Sequence, residues 1–240
     1  MSTINLLYQS RYPINDNISV EIPTVGQILD HEDDYYSVIN AFTSMPIDMI
    51  VPLDDAGIDF TSLTEWDLFL LMFNGIKGMD THLVLGDLDL SRFEMNINEQ
   101  NNSIILLDRS NGFVIDRATH GKIASILRTI HHLKKDRRKP ANEEAKQYMI
   151  QRAHEKARRQ KNRKTVSQLE SLIIAMVNCE QFKYDFDGVR DLTIYQFRES
   201  VRQVIRKNDY NNLMHGVYSG TVNVKELSQD AMNWLASTTQ

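Results

Sequence analysis

Four segments of the chain carry a capping box, in which a Ser or Thr is followed three residues later by Gln or Glu. In such a box the hydroxyl accepts a hydrogen bond from an early N–H of a helix, and the Gln or Glu side chain reaches back to the cap. The four pairs are Thr24–Gln27, Ser62–Glu65, Thr165–Gln168 and Thr193–Gln196. Because apolar residues at helical intervals follow each pair, the boxes predict four helix starts and a largely helical fold.

The spacing of apolar residues also predicts how far each helix extends. We expect helices over about 25–43, 63–74, 117–134, 141–162, 166–177 and 194–207, and a short helix ending near Trp234 and Leu235. The helix at 63–74 is apolar nearly all round, which predicts a central position or a partner contact. Pro46 and Pro52 bracket a segment with room for one or two helical turns.

Residues 81–116 have a pattern that is more typical of strands. Leu83–Leu85 is a short apolar run that ends at a glycine, and residues 93–97 alternate between apolar and polar. Asn111-Gly112 stands between apolar runs, and residues 100–102 would form a second turn. The sequence therefore predicts a mainly α (α+β) fold with a small antiparallel β meander around residues 81–116.

The Lys/Arg run at 134–139, followed by Pro140, is the candidate domain boundary. It would divide an N-terminal acidic α+β part, residues 1–134, from a C-terminal helical part, residues 141–240, that begins with a basic helix. Helices on either side could also pack together, so a single domain stays open.

The overall charge of −5 results from three segments of very different charge. Residues 1–133 carry 7 Lys/Arg against 19 Asp/Glu, which gives −12. Residues 134–164 carry 13 against 4, which gives +9, and residues 165–240 carry 7 against 9, which gives −2. The chain is therefore acidic, then basic, then nearly neutral, unlike a uniformly basic nucleic-acid-binding protein.

Twelve basic residues of the central segment form the candidate partner-binding surface, called the basic surface below. They are Lys134, Lys135, Arg137, Arg138, Lys139, Arg152, Lys156, Arg158, Arg159, Lys161, Arg163 and Lys164. The segment could be a solvated helix face, neutralise the acidic N-terminal part, or bind an acidic partner. Nucleic acid stays an alternative that is not favoured, because Tyr148 is the only aromatic residue available for base stacking.

Sequence signatures of common enzymes are absent. The chain has neither a GxGxxG motif nor a P-loop. Gly216–Gly220 has the glycines of a nucleophile elbow, but its serine falls at the fourth position and not at the third. We therefore expect a non-enzymatic protein with no catalytic residues and no cofactor.

No residue pattern predicts a metal site. The seven histidines include no HExxH motif, and the neighbours His131 and His132 would point to different sides of a helix. Asp54–Asp59 has an alanine where a calcium loop needs its second ligand, so we interpret it as a turn. Glu32–Asp34 are adjacent and would splay around a helix, which favours a solvated face.

Sequence features also bear on the compartment. Cys179 is the only cysteine, so no disulfide framework is expected, and its apolar neighbours predict a buried thiol. No apolar run approaches the roughly 20 residues that span a bilayer. The first residues lack the basic start and apolar core of a signal peptide. We expect a cytoplasmic protein, in a host bacterium if phage-encoded, with no membrane partner.

Several stretches distributed over most of the chain carry a family resemblance. They are Ile22–Leu29 with Tyr35-Tyr36, Gly86–Asp89, Ser167–Ile173 with Met176–Asn178, Phe182–Tyr184, Tyr195–Ser200, Tyr218–Gly220 and Asn233–Leu235. In these stretches the chain resembles a family from tailed phages and prophages of Gram-positive bacteria, whose members are tail assembly chaperones or uncharacterised tail proteins.

The resemblance implies a role in phage morphogenesis. Tail assembly chaperones are thought to coat the long, helical, aggregation-prone tape measure protein until tail-tube subunits polymerise around it. The implied partner is therefore the tape measure or another tail protein, and an oligomer stays open. The alternative is a structural virion component, such as a tail or head–tail connector subunit, which would reside in the virion.

Overall fold

The computed structural model describes residues 5–99, 101–161, 167–228 and 231–235. Within these residues the chain forms ten α-helices and two small antiparallel sheets, which confirms the predicted mainly α (α+β) class. The helices are α1 (Val25–Asp30), α2 (Glu32–Thr43), α3 (Ile50–Asp55), α4 (Glu65–Ile76), α5 (His82–Leu85), α6 (Arg117–His131), α7 (Glu143–Gln160), α8 (Gln168–Val177), α9 (Phe186–Asp191) and α10 (Ile194–Tyr218).

Five short strands form the two sheets. β1 (Arg11–Pro13) pairs antiparallel with β2 (Ser19–Glu21). The second sheet is a meander in the order β3 (Phe93–Ile97), β4 (Ile104–Asp108) and β5 (Phe113–Ile115). The predicted meander is thus confirmed, although it occupies only the second part of the predicted range.

The first part of that range is helical. The N–H groups of Val84 and Leu85 both donate to the carbonyl of Thr81, and Gly86 follows with a φ of 61°. Glycine in the left-handed region commonly ends a helical turn. A run of three apolar residues does not distinguish a strand from a short helix, so the sequence pattern was insufficient here.

The β1–β2 hairpin has no counterpart among the predicted elements. Its turn is held by the Asn15 side chain, whose Oδ1 accepts hydrogen bonds from the N–H groups of Asn17 (3.0 Å) and Ile18 (2.8 Å). The hairpin contributes Val20, which is fully buried, to the core. Three-residue strands are too short for a period of two to be recognised.

The capping boxes at Thr24 and Thr193 are confirmed, and each makes both of its hydrogen bonds. The two caps also lie side by side. The N–H of Val25 donates to the carbonyl of Leu192 at 2.8 Å, and the two threonines form an isolated antiparallel bridge. The start of α1 is therefore tied to the start of α10, although the two are far apart in sequence.

The predicted box at Ser62–Glu65 is wrong by two residues. Thr64 caps α4 and forms a reciprocal box with Asp67, while the Ser62 hydroxyl donates to the carbonyl of Asp59. Both registers have the required spacing of three residues, and an aspartate at the third helical position can also reach back to the cap.

The fourth box cannot be compared, because Thr165 lies outside the described residues. Ser167 is the N-cap of α8, and its hydroxyl accepts a hydrogen bond from the N–H of Glu170 at 2.8 Å. The start of a helix near the predicted position is therefore confirmed, with a different residue as its cap.

Three predicted helix bounds are wrong. The helix over 25–43 is divided into α1 and α2, because His31 has a non-helical backbone with φ −142° and ψ 35°. α10 continues to Tyr218, since no proline or glycine interrupts residues 208–215. Residues 231–235 form turns and not the predicted short helix.

None of the described helices is both long and apolar enough to cross a membrane.

One large hydrophobic cluster forms the main core and extends in sequence from Leu6 to Val201. Its largest fully buried side chains include Phe42, Phe69, Phe73, Phe93 and Phe197. α4 contributes Trp66, Phe69, Leu70, Phe73 and Ile76 to this core, whereas its Leu71 is exposed. Residues on both sides of Pro140 contribute to it, and the division into residues 1–134 and 141–240 stays a prediction.

Candidate partner-binding surface

α7 carries four of the twelve members of the basic surface and packs against α3 of the acidic N-terminal part. Its partly buried Met149, Ile150 and Ala153 contact a second apolar cluster, distinct from the main core. The buried members of that cluster are Ile50, Leu53, Phe60 and Leu68. α7 has no fully buried residue, so it is a peripheral helix that is anchored along one face and exposed along the others.

Two polar contacts accompany this apolar anchor. Lys146 Nζ lies 2.8 Å from Asp59 Oδ2, and this hydrogen bond lowers the pKa of Asp59 to about 2, with help from Thr61. His154 Nε2 lies 2.8 Å from Asp54 Oδ2. Both contacts join α7 to residues 54–59, of which Asp54 and Asp55 end α3 and only Ala56 and Gly57 form the expected turn.

Two basic residues of the segment that leads into α7, Lys135 and Arg138, form ion pairs with carboxylates. Lys135 and Arg128 both donate to the carboxylate of Glu65. Burial tends to raise the pKa of Glu65, but the hydrogen bonds from Lys135 and Arg128 outweigh it and leave the pKa below its usual value. Arg138 pairs locally with Asp136 at 2.6 Å, which lowers the pKa of Asp136.

Most of the basic surface is exposed and has no hydrogen-bonded or ion-paired side-chain partner within the described part of the chain. These residues are Lys134, Arg137, Lys139, Lys156, Arg158, Arg159 and Lys161. Arg152 differs, because its guanidinium lies 5.8 Å from the centre of the Tyr148 ring. Arg163 and Lys164 lie outside the described residues. Of the ten described members of the basic surface, Lys135 alone pairs with the acidic N-terminal part.

An apolar groove lies beside the segment 135–140. Its floor is formed by Met45, Pro46, Ile47, Phe60 and Leu63, and its rim by residues 135–140 with Thr61. The cavity measures about 280 Å³. No periodic pattern predicts this groove, because its floor joins the 3-10 helix Pro46–Met49, within the helical segment expected between Pro46 and Pro52, to the loop that contains Phe60 and Leu63. The cluster Met45-Pro46-Ile47 was the only signal that could have indicated it.

Asp54, Asp55 and His154 are the described residues that come nearest to a metal site. One possible ligand atom from each lies within 4.8 Å of the others. All three residues are partly or fully exposed, and His154 and Asp54 already form a hydrogen bond with each other.

The acidic residues Glu32–Asp34 occupy the first turn of α2, where negative charge stabilises the N-terminal end of a helix. Asp33 and Asp34 are exposed, as expected for a solvated face, whereas Glu32 is half-buried. They border a cavity of about 1110 Å³ that also contacts Arg198 and His131. Its walls come from helices that are distant in sequence, so no local pattern predicts it.

Two histidines belong to the core. Burial lowers the pKa of His120 to about 4 and that of His131 to about 3, so both are uncharged at neutral pH. His131 Nε2 lies 2.8 Å from the Tyr35 hydroxyl. Its neighbour His132 instead contacts Glu199 at 3.0 Å, which agrees with the prediction that the two rings diverge.

Cys179 is half-buried, and the prediction of a buried thiol is wrong. It lies in the turn after α8, where its Sγ contacts Gln181 Oε1 at 2.8 Å. Of the apolar neighbours on which the prediction depended, Met176 and Val177 belong to the helix before the turn and Phe182 follows the turn, and all three pack in or against the main core.

Residues 159–239 match the family model described as the YomV second domain. This family is of phage or prophage type, so the match associates the chain with phages. The matched region begins at the end of α7 and contains α8, α9 and α10. It also includes four members of the basic surface, Arg159, Lys161, Arg163 and Lys164. No curated protein and no solved structure matches the chain.

Proposed function

We propose that this phage-associated protein is a non-enzymatic morphogenesis protein that binds another protein through its basic surface. The role that we propose is that of a tail assembly chaperone, with the tape measure protein as its partner. Two findings support the proposal: the match of residues 159–239 to a phage-type family, and the resemblance to tail assembly chaperones.

The observation that carries the proposal is the exposure of the basic surface. The acidic N-terminal part engages Lys135, Lys146 and His154, and it leaves the cations at the end of α7 without partners among the described residues. Arg158 and Arg159 lie in the last turn of α7, where positive charge stabilises the C-terminal end of a helix. Cations at this density also repel one another, and an acidic partner would relieve that repulsion.

A protein partner fits this surface better than nucleic acid does. Single-stranded nucleic acid is usually bound by cations together with aromatic side chains on which bases stack. Tyr148 is the one aromatic residue among residues 134–161, and Arg152 lies over its ring. The rest of the chain is acidic, which would repel phosphates.

Co-purification with the tape measure protein of the same phage tests the proposal. The charge-reversed double variant Arg158→Glu/Arg159→Glu should lose most of the binding. The matched control is Arg109→Glu/Arg117→Glu, which makes the same charge change at exposed arginines outside the basic surface and should bind like the unchanged protein. Equal binding by the two double variants would contradict the proposal.

Two further measurements separate this role from its alternatives. A chaperone should be absent from purified particles, so a stoichiometric amount in mature virions would favour a structural tail or connector subunit. Nucleic-acid binding would appear as DNA affinity that falls steeply with salt and is lost in the Arg158→Glu/Arg159→Glu variant. We expect neither result.

A further inference from the structure

The apolar groove beside residues 135–140 differs from the rest of the basic surface because its cations border an apolar floor. Ile47 and Leu63 are partly exposed on this floor, whereas Phe60 is buried. The neighbouring α7 is anchored on the same apolar cluster through Met149 and Ile150, yet it does not line the groove. The floor therefore offers apolar surface that no described element covers completely.

The charges at the rim are partly neutralised within the chain. Lys135 is engaged by Glu65, and Arg138 is engaged by Asp136. Arg137 and Lys139 are exposed and have no ion pair with any described residue. The available charge at the rim is therefore positive, which selects a ligand that carries negative charge next to its apolar part.

We propose that this groove binds an acidic protein segment that inserts two neighbouring apolar side chains. A cavity of roughly 150 Å³ holds a benzene ring, so the groove, at about 280 Å³, has room for two large apolar side chains. Acidic residues beside these anchors would meet Arg137 and Lys139. The inference deepens the proposed function and rests on it, because it assigns the chemistry of the partner segment.

This arrangement discriminates between partner classes. A nucleic-acid backbone could contact the cations of the rim, but it has no large apolar side group with which to fill the floor. An apolar segment without acidic residues would fill the floor and leave Arg137 and Lys139 without counter-charges. Both properties are therefore required of the ligand, and each can be removed separately in a synthetic probe.

The probe is a fluorescein-labelled peptide with pairs of leucines separated by glutamates, and binding is measured by fluorescence anisotropy. One control peptide has serine at every leucine position, and a second has lysine at every glutamate position. Loss of one leucine anchor should weaken binding about tenfold or more, because burial of a leucine contributes about 1.5–3 kcal/mol. Equal binding of the serine peptide would overturn the proposal.

Variants of the protein locate the site. Ile47→Lys places a cation on the floor and should weaken binding at least about tenfold. The matched control is Ile174→Lys on α8, where the isoleucine is also exposed and lies outside the groove. Leu63→Ser is a milder second variant, and circular dichroism verifies that each variant is folded. Unchanged binding in both floor variants would overturn the proposal.

A second pair of variants separates the groove from the distant end of α7. Arg137→Glu/Lys139→Glu should weaken peptide binding several-fold, whereas Arg158→Glu/Arg159→Glu should leave it nearly unchanged. If Arg158→Glu/Arg159→Glu weakened peptide binding more than Arg137→Glu/Lys139→Glu did, the groove would be overturned as the site.

If the tape measure protein co-purifies with Ile47→Lys as well as with the unchanged protein, this inference fails while the proposed function stands. If the peptide binds but the tape measure protein does not, the proposed function fails.

Discussion

Acid should destabilise this protein well before its carboxylates titrate, because of two buried histidines. His120 is packed among the rings of Phe42, Trp66 and Phe69, and its Nε2 is buried without a hydrogen-bond partner among the described residues. His131 is buried beside Tyr35. Both rings must acquire a proton in a site that excludes water, whereas the unfolded chain acquires that proton freely.

The size of the effect follows from the lowered pKa values. The ordinary histidine pKa is 6.5, whereas burial lowers the pKa of His120 to about 4 and that of His131 to about 3. The unfolded state therefore binds more protons as the pH falls below 6.5, and stability that is present above this pH is progressively lost. Between pH 7.5 and pH 5, each histidine should cost about 2 kcal/mol, or about 4 kcal/mol for the two.

The other groups with shifted pKa values do not oppose the effect of the two histidines between pH 7.5 and pH 5. Burial also lowers the pKa of His132, which acts in the same direction. The pKa values of Glu65 and Asp116 lie below their ordinary values, so their stabilising effect is lost only as the pH falls below those ordinary values. The histidines should therefore dominate the change between pH 7.5 and pH 5.

Urea denaturation at pH 7.5 and pH 5.0, followed by circular dichroism, measures this difference in the free energy of unfolding. His120→Phe should reduce the difference by about 2 kcal/mol, whatever its effect on stability at pH 7.5. The control His215→Gln, at an exposed position on α10, should retain the full difference. The reasoning would be refuted if His120→Phe and the unchanged protein lost the same free energy on acidification.

Two further predictions concern particular helices. Thr193→Ala removes the cap of α10 and should lower the free energy of unfolding by about 1 kcal/mol, as measured by urea denaturation; no change would contradict the role of the cap. Ile150→Asp should detach α7 from its apolar cluster and accelerate tryptic cleavage within residues 143–160, while the main core melts at nearly the same temperature. Cleavage at an unchanged rate would contradict the docking of α7 through Ile150.

The fold was predictable where local signals are strong. The boxes at Thr24 and Thr193 and the Asn-Gly turn at 111–112 encode their structures within a few residues, and each forms as predicted. The interruption at His31 and the helical conformation of Leu83–Leu85 depend on tertiary packing. Short-range patterns do not contain that information.

The candidate site was predictable in composition but not in arrangement. Charge counting identified the basic residues, yet it could not determine that Lys135 would be engaged by Glu65 while Arg158 stays exposed. The groove depends on two segments that meet only in the folded chain, so the apolar cluster Met45-Pro46-Ile47 could indicate one side of it, while Leu63 carried no signal. Long-range pairing determines which cations remain available, and a single sequence does not report it.

Hydrogen–deuterium exchange on the complex with the tape measure protein tests the central claim most directly. If the basic surface binds the partner, amides in residues 134–160 should exchange more slowly in the complex than in the free protein. The exposed end of α10 should show little change by comparison. Protection confined to α10, with residues 134–160 exchanging at the same rate in both states, would contradict the account.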